Sequence, residues 1–310
     1  MLNGGVHYQL LMLNNSTSFE PRLGLKWNFH ENQDISLGFG MHSQMQPLLN
    51  YFVVTQLQDG SYTYTNKKLK FSKSNHFVAG YNYLMKPSLR LKIESYYQHL
   101  YDIPVSQSYP EFSMLNAGDF FTVPRIDSLV NTGTGYNYGI EFTLERFFTG
   151  SYYFLLTSSL YDSKYKGYDG IERNTLFNGN YIVNALGGYE FKTGSHNALA
   201  FDLKLMWGGN KRYVPIDTIL SYQKHDTEYN WSHAYEKKYP DYVRLDIRIS
   251  YKLNGKKVNQ EWSLDVQNLT NRKNILMERF DFSPLESQKS KVVTIYQTGT
   301  FPMITWRIQF

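Results

Sequence analysis

The chain has 310 residues, a net charge of +5 and no Cys, but 27 Tyr and 20 Phe, and its mean hydropathy is −0.47. Length alone admits two ordinary domains or one large all-β barrel. The absence of any apolar run of about 18–20 residues excludes a transmembrane helix, and basic residues interleaved with acids leave no nucleic-acid footprint. Low hydropathy does not exclude strands that cross a membrane, because half of each such strand faces a polar lumen.

Period-two alternation marks the elements in chain order. A first strand is expected near 5–13. "PRLGLKWNF" then sets Leu23, Leu25, Trp27 and Phe29 against Arg22, Lys26 and Asn28. After strands near 34–43 and 74–85, "LRLKIESYYQ" sets Leu89, Leu91 and Ile93 against Arg90, Lys92 and Glu94. "YGIEFTLERF" sets Tyr138, Ile140, Phe142 and Leu144 against Glu141, Thr143 and Glu145. Strands near 151–162 and 179–192 precede "AFDLKLMW", with Phe201, Leu203, Leu205 and Trp207 against Asp202 and Lys204. The clearest is "DYVRLDIRISYKL": Val243, Leu245, Ile247, Ile249, Tyr251 and Leu253 share one face, and Arg244, Asp246, Arg248, Ser250 and Lys252 the other. A helix would scatter these charges round its circumference. A strand near 258–269 and the terminal "ITWRIQF" bring the count to about twelve.

The connections are expected to alternate. "HENQD", "KPS", "TGS", "TGSHN" and "NGKKVN" are tight turns, whereas 44–72, 101–134, 163–178, 210–240 and 271–302 are long loops. Expected strand lengths of about 9–13 residues suit a tilted crossing of a bilayer, against about five or six in a soluble sandwich. Aromatic residues gather at strand ends (Trp27, Phe29, Tyr81, Tyr83, Phe147, Phe148, Trp207, Tyr251), where interfacial girdles sit. The fold class read from this pattern is an all-β, antiparallel transmembrane β-barrel with short periplasmic turns and long extracellular loops.

In the long loops, "DGSYTYT" and "NWSHAYEKKYPDY" place Tyr62, Tyr64, Trp231, Tyr235 and Tyr239, which stack on a ligand or pack loop against loop. "DGSYTYTNKKLKF" also reads as a β-hairpin above the membrane. Charges on the inward faces, such as Arg22, Lys26, Arg90, Glu145, Asp202, Arg248, Asp265 and Arg307, form cross-strand pairs or line a solute path. No HExxH, CxxC or GxSxG spacing occurs, and the neighbours His42 and Ser43, or Ser232 and His233, point to opposite faces of a strand. No enzyme activity, metal site or cofactor is expected.

Three stretches carry a more specific likeness: "EPRLGLKWNF...DISLGFGMHSQMQPL", "GGNKRYVPID...YPDYVRLDIRISYKLNGKKVNQEWSLDVQNLTNRKNI" and "TGTFPMITWRIQF". The sequence resembles the C-terminal half of TonB-dependent outer-membrane receptors of the Bacteroidota, of the type with a carboxypeptidase-regulatory-like domain. The resemblance implies a barrel of about 22 strands closed by a plug. Residues 1–310 would then be a partial barrel, a truncated gene product or an excised segment, without plug, TonB box or signal peptide. It implies TonB-dependent uptake of a scarce solute across the outer membrane of a Gram-negative bacterium, with siderophore-like chelates, oligosaccharides, peptides and cobalamin all open. Implied partners are outer-membrane lipid and lipopolysaccharide, the barrel assembly machinery, TonB through the plug, and a small-molecule or oligosaccharide ligand. The terminal aromatic-x-apolar-x-aromatic pattern resembles the assembly signal of such barrels, which assigns that role to Trp306 and Phe310. The alternative is a self-contained twelve-stranded channel or adhesin, which requires a closed small barrel.

Overall fold

A computed structural model describes residues 1–119, 124–281 and 292–310; parts of the expected loops 101–134 and 271–302 thus lie outside the described residues. Twelve long strands form one antiparallel sheet, each paired with its neighbour in sequence: β1 Leu2–Leu11, β2 Ser16–His30, β3 Gln33–Gln44, β4 Ser72–Lys86, β5 Leu89–Ser106, β6 Leu129–Thr149, β7 Tyr152–Lys166, β8 Tyr181–Lys192, β9 Asn197–Gly208, β10 Tyr242–Asn254, β11 Asn259–Gln267 and β12 Phe301–Gln309. A short strand, Glu172–Asn174, adds to the end of β7. Among the described residues no helix is long and apolar enough to cross a membrane.

The register transmits the alternation from strand to strand, because directly opposed residues share a face. One row runs Leu2, Leu25, Leu37, Ala79, Ser95, Ile140, Leu160; another runs Gly187, Leu203, Ile247, Val266, Pro302. This face is exposed or half-buried along the whole sheet: Leu37, Leu160, Leu203 and Trp207 are exposed, Ile247 and Val266 half-buried. An apolar surface of this extent is intolerable in water and is the lipid band of a membrane barrel.

The opposite face is polar and internally paired. Arg248 meets Glu261 at 3.0 Å and Asp265 at 3.4 Å, Arg307 meets Glu261 at 3.2 Å, Lys252 meets Glu190 at 2.7 Å and Lys26 meets Asp34 at 3.2 Å. Two tyrosines on this face lie over glycines of the next strand: a Cβ on Gly139 would stand 2.8 Å from the Tyr96 hydroxyl, and one on Gly188 would stand 2.6 Å from the Tyr153 ring.

Two expectations need correction, and a third observation removes the alternative. First, strands are not confined to 9–13 residues: β5 has 18 and β6 has 21. Their upper ends continue past the lipid band as a hairpin with its own packing, in which Ile103 and Val105 are buried and the bare Gly133 admits Val105. The loop expected over 101–134 shrinks accordingly. Second, the connections do not strictly alternate. The Met12–Asn15 turn has four residues on the long-loop rim, closed by Asn15 at φ 57°, and its Asn14 amide donates to the carbonyls of Lys67 and Leu69 in the next loop. In that loop Tyr62–Thr63 does pair with Thr55–Gln56, but the following residues form a 3-10 turn, Thr65–Lys68, not a continuing strand. Third, the sheet is open. β1 and β12 do not pair with each other, so the closed twelve-stranded barrel required by the channel alternative is not formed.

A candidate ligand cavity in the loop canopy

Above the lipid band the long loops build a second body with an interior. Ser113 caps the 3-10 turn Met114–Asn116 by accepting from the Leu115 N–H. Asp217 caps the helix Thr218–Lys224 by accepting from Ile219 and Leu220, and the helix stops at His225, which takes a left-handed φ of 55°. Two short antiparallel strand pairs, Arg212–Tyr213 with Lys237–Lys238 and Ile275–Phe280 with Val292–Tyr296, belong to the same loops.

These pieces are held by two small aromatic-rich cores. One contains Tyr51, Leu69, Phe112 and Leu129; the other contains Tyr165, Ala234 and Tyr235, and Trp231 packs against both. The Tyr165 hydroxyl donates to the Glu111 carbonyl at 2.8 Å. Arg212 ties the canopy from within: Nε donates to the Asn178 carbonyl, Nη1 to the Tyr235 and Glu236 carbonyls, and Nη2 to the Asn180 side chain.

A cavity of about 240 Å³ lies among four of these loops. Tyr213 and Tyr239, stacked at 4.4 Å, form part of its wall, with Tyr229, Trp231, Tyr235 and Leu176. Its polar lining includes Asn116, Glu278, Arg212 and Lys211, the last paired with Asp119 at 2.6 Å. Burial pushes the hydroxyls of Tyr213, Tyr229, Tyr235 and Tyr239 above their ordinary pKa, so all four stay protonated. Burial also raises the Glu278 carboxyl. A larger cavity of about 660 Å³ reaches the luminal face of β3, β4 and β5, where the His42 and His76 rings lie 4.7 Å apart, and shares Ala117, Gly118 and Pro124 with the first. The two spaces thus lie against the same three residues, one toward the canopy and the other toward the lumen.

The structure divides the sequence candidates. Trp231, Tyr235 and Tyr239 meet at the smaller cavity, with Tyr235 and Tyr239 buried in its wall. Tyr62 and Tyr64 do not line it; both are exposed on another loop, Tyr64 edge-on to Phe52. Sequence reasoning passed over Asn116, Arg212, Tyr213, Tyr229 and Glu278. Tyr213 and Tyr229 carried the same signal as their neighbours, an aromatic in a long loop, whereas Asn116 and Glu278 carried none. Neither adjacent Ser and His pair is joined: Ser43 donates to Glu20 and His42 packs on His76, while Ser232 donates to Asn230 and His233 contacts Glu236. No group of three or more potential metal ligands occurs among the described residues.

The family model described as "TonB dependent receptor-like, beta-barrel" matches residues 2–269. Among solved structures, the outer membrane transporter YddB of Escherichia coli aligns with a TM-score of 0.63 and 14% identity, over 99% of this chain and 42% of that one. The ferric-catecholate import receptor Fiu of E. coli aligns at 0.62 and 12%, over 94% and 35%, and the ferric yersiniabactin uptake receptor FyuA of Yersinia pestis at 0.62 and 14%, over 96% and 38%. The chain therefore spans well under half the length of each. No match was found among the curated proteins.

Proposed function

The chain belongs to the TonB dependent receptor-like β-barrel family, and from that premise we propose that it is the C-terminal part of an outer-membrane receptor that imports a scarce solute into a Gram-negative bacterium. The observation that carries this reading is the two-sided sheet: an apolar band across twelve strands, a charge-paired lumen behind it, and a canopy cavity that shares lining residues with a luminal one. A solute is first held among the canopy loops and then passes down the luminal face. The motifs "LDVQNLTNRKN" and "TGTFPMITWRIQF" support a member of the Bacteroidota type with a carboxypeptidase-regulatory-like domain.

In this reading Trp231, Tyr235 and Tyr239 are wall residues of the solute site, and Tyr62 and Tyr64 contact the solute on its approach. The plug and TonB box belong to the part of the receptor outside residues 1–310, and TonB acts through them. Lipid and lipopolysaccharide surround the band, and the barrel assembly machinery reads Trp306 and Phe310. Trp306 stacks on Trp262 at 5.1 Å, and Phe310 stands fully exposed after β12. The edges of β1 and β12 each leave a row of unpaired backbone groups, which hydrocarbon does not tolerate. Alone, the 310 residues therefore do not transport.

Cells producing these 310 residues behind a signal peptide are expected to show neither heat-modifiable migration of the protein nor solute-dependent growth. A folded, transport-competent 36 kDa species would overturn the partial-receptor reading. In the complete protein, deletion of Phe310 is expected to lower the amount folded in the outer membrane before it changes solute affinity. Unchanged insertion would remove the assembly role.

A further inference from the structure

We propose that the canopy cavity holds a neutral polyhydroxylated ring, a saccharide unit; this rests on the receptor reading above and names its ligand class. The argument comes from which polar groups in the cavity are spent and which are not. Lys211 is engaged by Asp119 at 2.6 Å. Arg212 places its Nε, Nη1 and Nη2 donors on four oxygens of the surrounding loops. The bidentate fork that recognises a carboxylate or a phosphate is therefore occupied.

Two groups remain. Asn116 is 8% exposed; its Oδ1 accepts from the Leu176 N–H at 2.8 Å, but its Nδ2 has no partner. A buried donor left unmade is costly, and a ligand acceptor removes that cost. The Glu278 carboxyl, on the same lining, has no side-chain hydrogen bond or ion pair among the described residues, whereas its backbone bonds to the Tyr239 hydroxyl; burial raises its pKa. The ligand must thus accept from an amide and donate to a carboxylate. A hydroxyl-bearing ring does both. An ammonium ion accepts nothing from Asn116, and an anionic chelate finds Lys211 and Arg212 already engaged. The remaining walls, Tyr213, Tyr229, Trp231, Tyr235 and Tyr239, offer aromatic faces for the C–H face of a ring and protonated hydroxyls as further donors. At about 240 Å³ the space falls below that of drug-sized sites and admits one ring, so an oligosaccharide enters it by a single unit.

The complete receptor, purified in detergent, is titrated calorimetrically with maltohexaose, mannohexaose, xylohexaose and a fructan. Ferric tris-catecholate and spermidine serve as the anionic and cationic comparisons. At least one saccharide is expected to bind. Asn116→Asp, which keeps the acceptor for Leu176 but removes the Nδ2 donor, is expected to weaken it about tenfold, and Glu278→Leu by as much. Glu278→Gln, which retains a hydrogen-bonding oxygen, is expected to stay within about threefold. Heat-modifiable migration identifies any variant that fails to fold, and the remaining variants then decide the matter. Binding by none of the saccharides overturns the inference, as does saccharide binding that ignores every folded variant. Binding of ferric tris-catecholate or spermidine in their place refutes the saccharide assignment while leaving the receptor reading intact. Loss of outer-membrane insertion in the complete protein would instead remove the receptor reading itself.

Discussion

The wall and the canopy are built from the same chain on opposite rules. In the wall, parity decides everything: Ile247 faces out and Asp246 and Arg248 face in because they are neighbours on a strand, and their partners Leu203 and Val266 agree. Its apolar side meets lipid, so the wall needs no dry interior of its own. The canopy stands in water and must make one. Without a repeat to align apolar residues, it buries large aromatics such as Tyr51 and Tyr165 beside fully buried amides such as Asn66 and Asn178. Those amides stand in for the missing ladders. Asn66 donates to the Ile126 carbonyl and accepts from the Leu129 N–H, closing backbone groups that no strand pairs.

The contrast is sharpest for a charge placed on the lipid side. Ile247→Arg in the complete protein is expected to cost about 2–4 kcal/mol in a reversible folding assay in lipid. Asp246→Asn, on the luminal side, is expected to cost much less. Equal stability of the Ile247 variant and its parent would break the facing assignment.

Arg212→Ala probes the canopy in the same spirit. It removes several hydrogen bonds from a charged donor, each worth about 1.5–3 kcal/mol, yet the loss should stay above the band. Proteolysis within 209–241 is expected to accelerate while heat-modifiable migration is unchanged. A fall in barrel stability as well would show that wall and canopy are one cooperative unit.

A smaller effect follows from Glu278. Its folded-state pKa is raised, so the folded canopy binds the proton more tightly than the unfolded chain. Canopy stability should therefore fall as pH rises from the ordinary carboxylate range through the raised value. Glu278→Gln should flatten that slope in pH-dependent proteolysis; an unchanged slope would assign it to other groups. Least of all, Tyr62→Ala, at a side chain 69% exposed, is expected to change stability by no more than about 0.5 kcal/mol in the same folding assay.

The same two rules decide how much could be read in advance. About twelve strands were legible because alternation is clean in half of them and survives, with more noise, in the rest, and the lower turns were legible because Gly150 and Gly194 take positive φ where the chain must reverse. The upper ends of β5 and β6 were not. Past the lipid band both faces of the hairpin are covered, so Ile103, Pro104 and Val105 are buried in succession and the period disappears. In the cavity, Trp231, Tyr235 and Tyr239 could be picked out as large rings in a polar loop. Asn116 and Glu278 could not, since an amide or a carboxylate in a loop is ordinarily solvated, and what distinguishes these two is contact among loops distant in sequence.

Trp231 belongs to both canopy cores, one drawing on Leu11, Leu13 and Tyr51 near the first strands and the other on Tyr165, Leu176 and Val214 near the middle ones. Two domes that share a keystone cannot be dismantled separately. An occupant pressed against Trp231 is felt by loops that rise from distant stations along the sheet, and an antibody or phage protein that pries up one of those loops loosens the seat of the occupant by the same free energy.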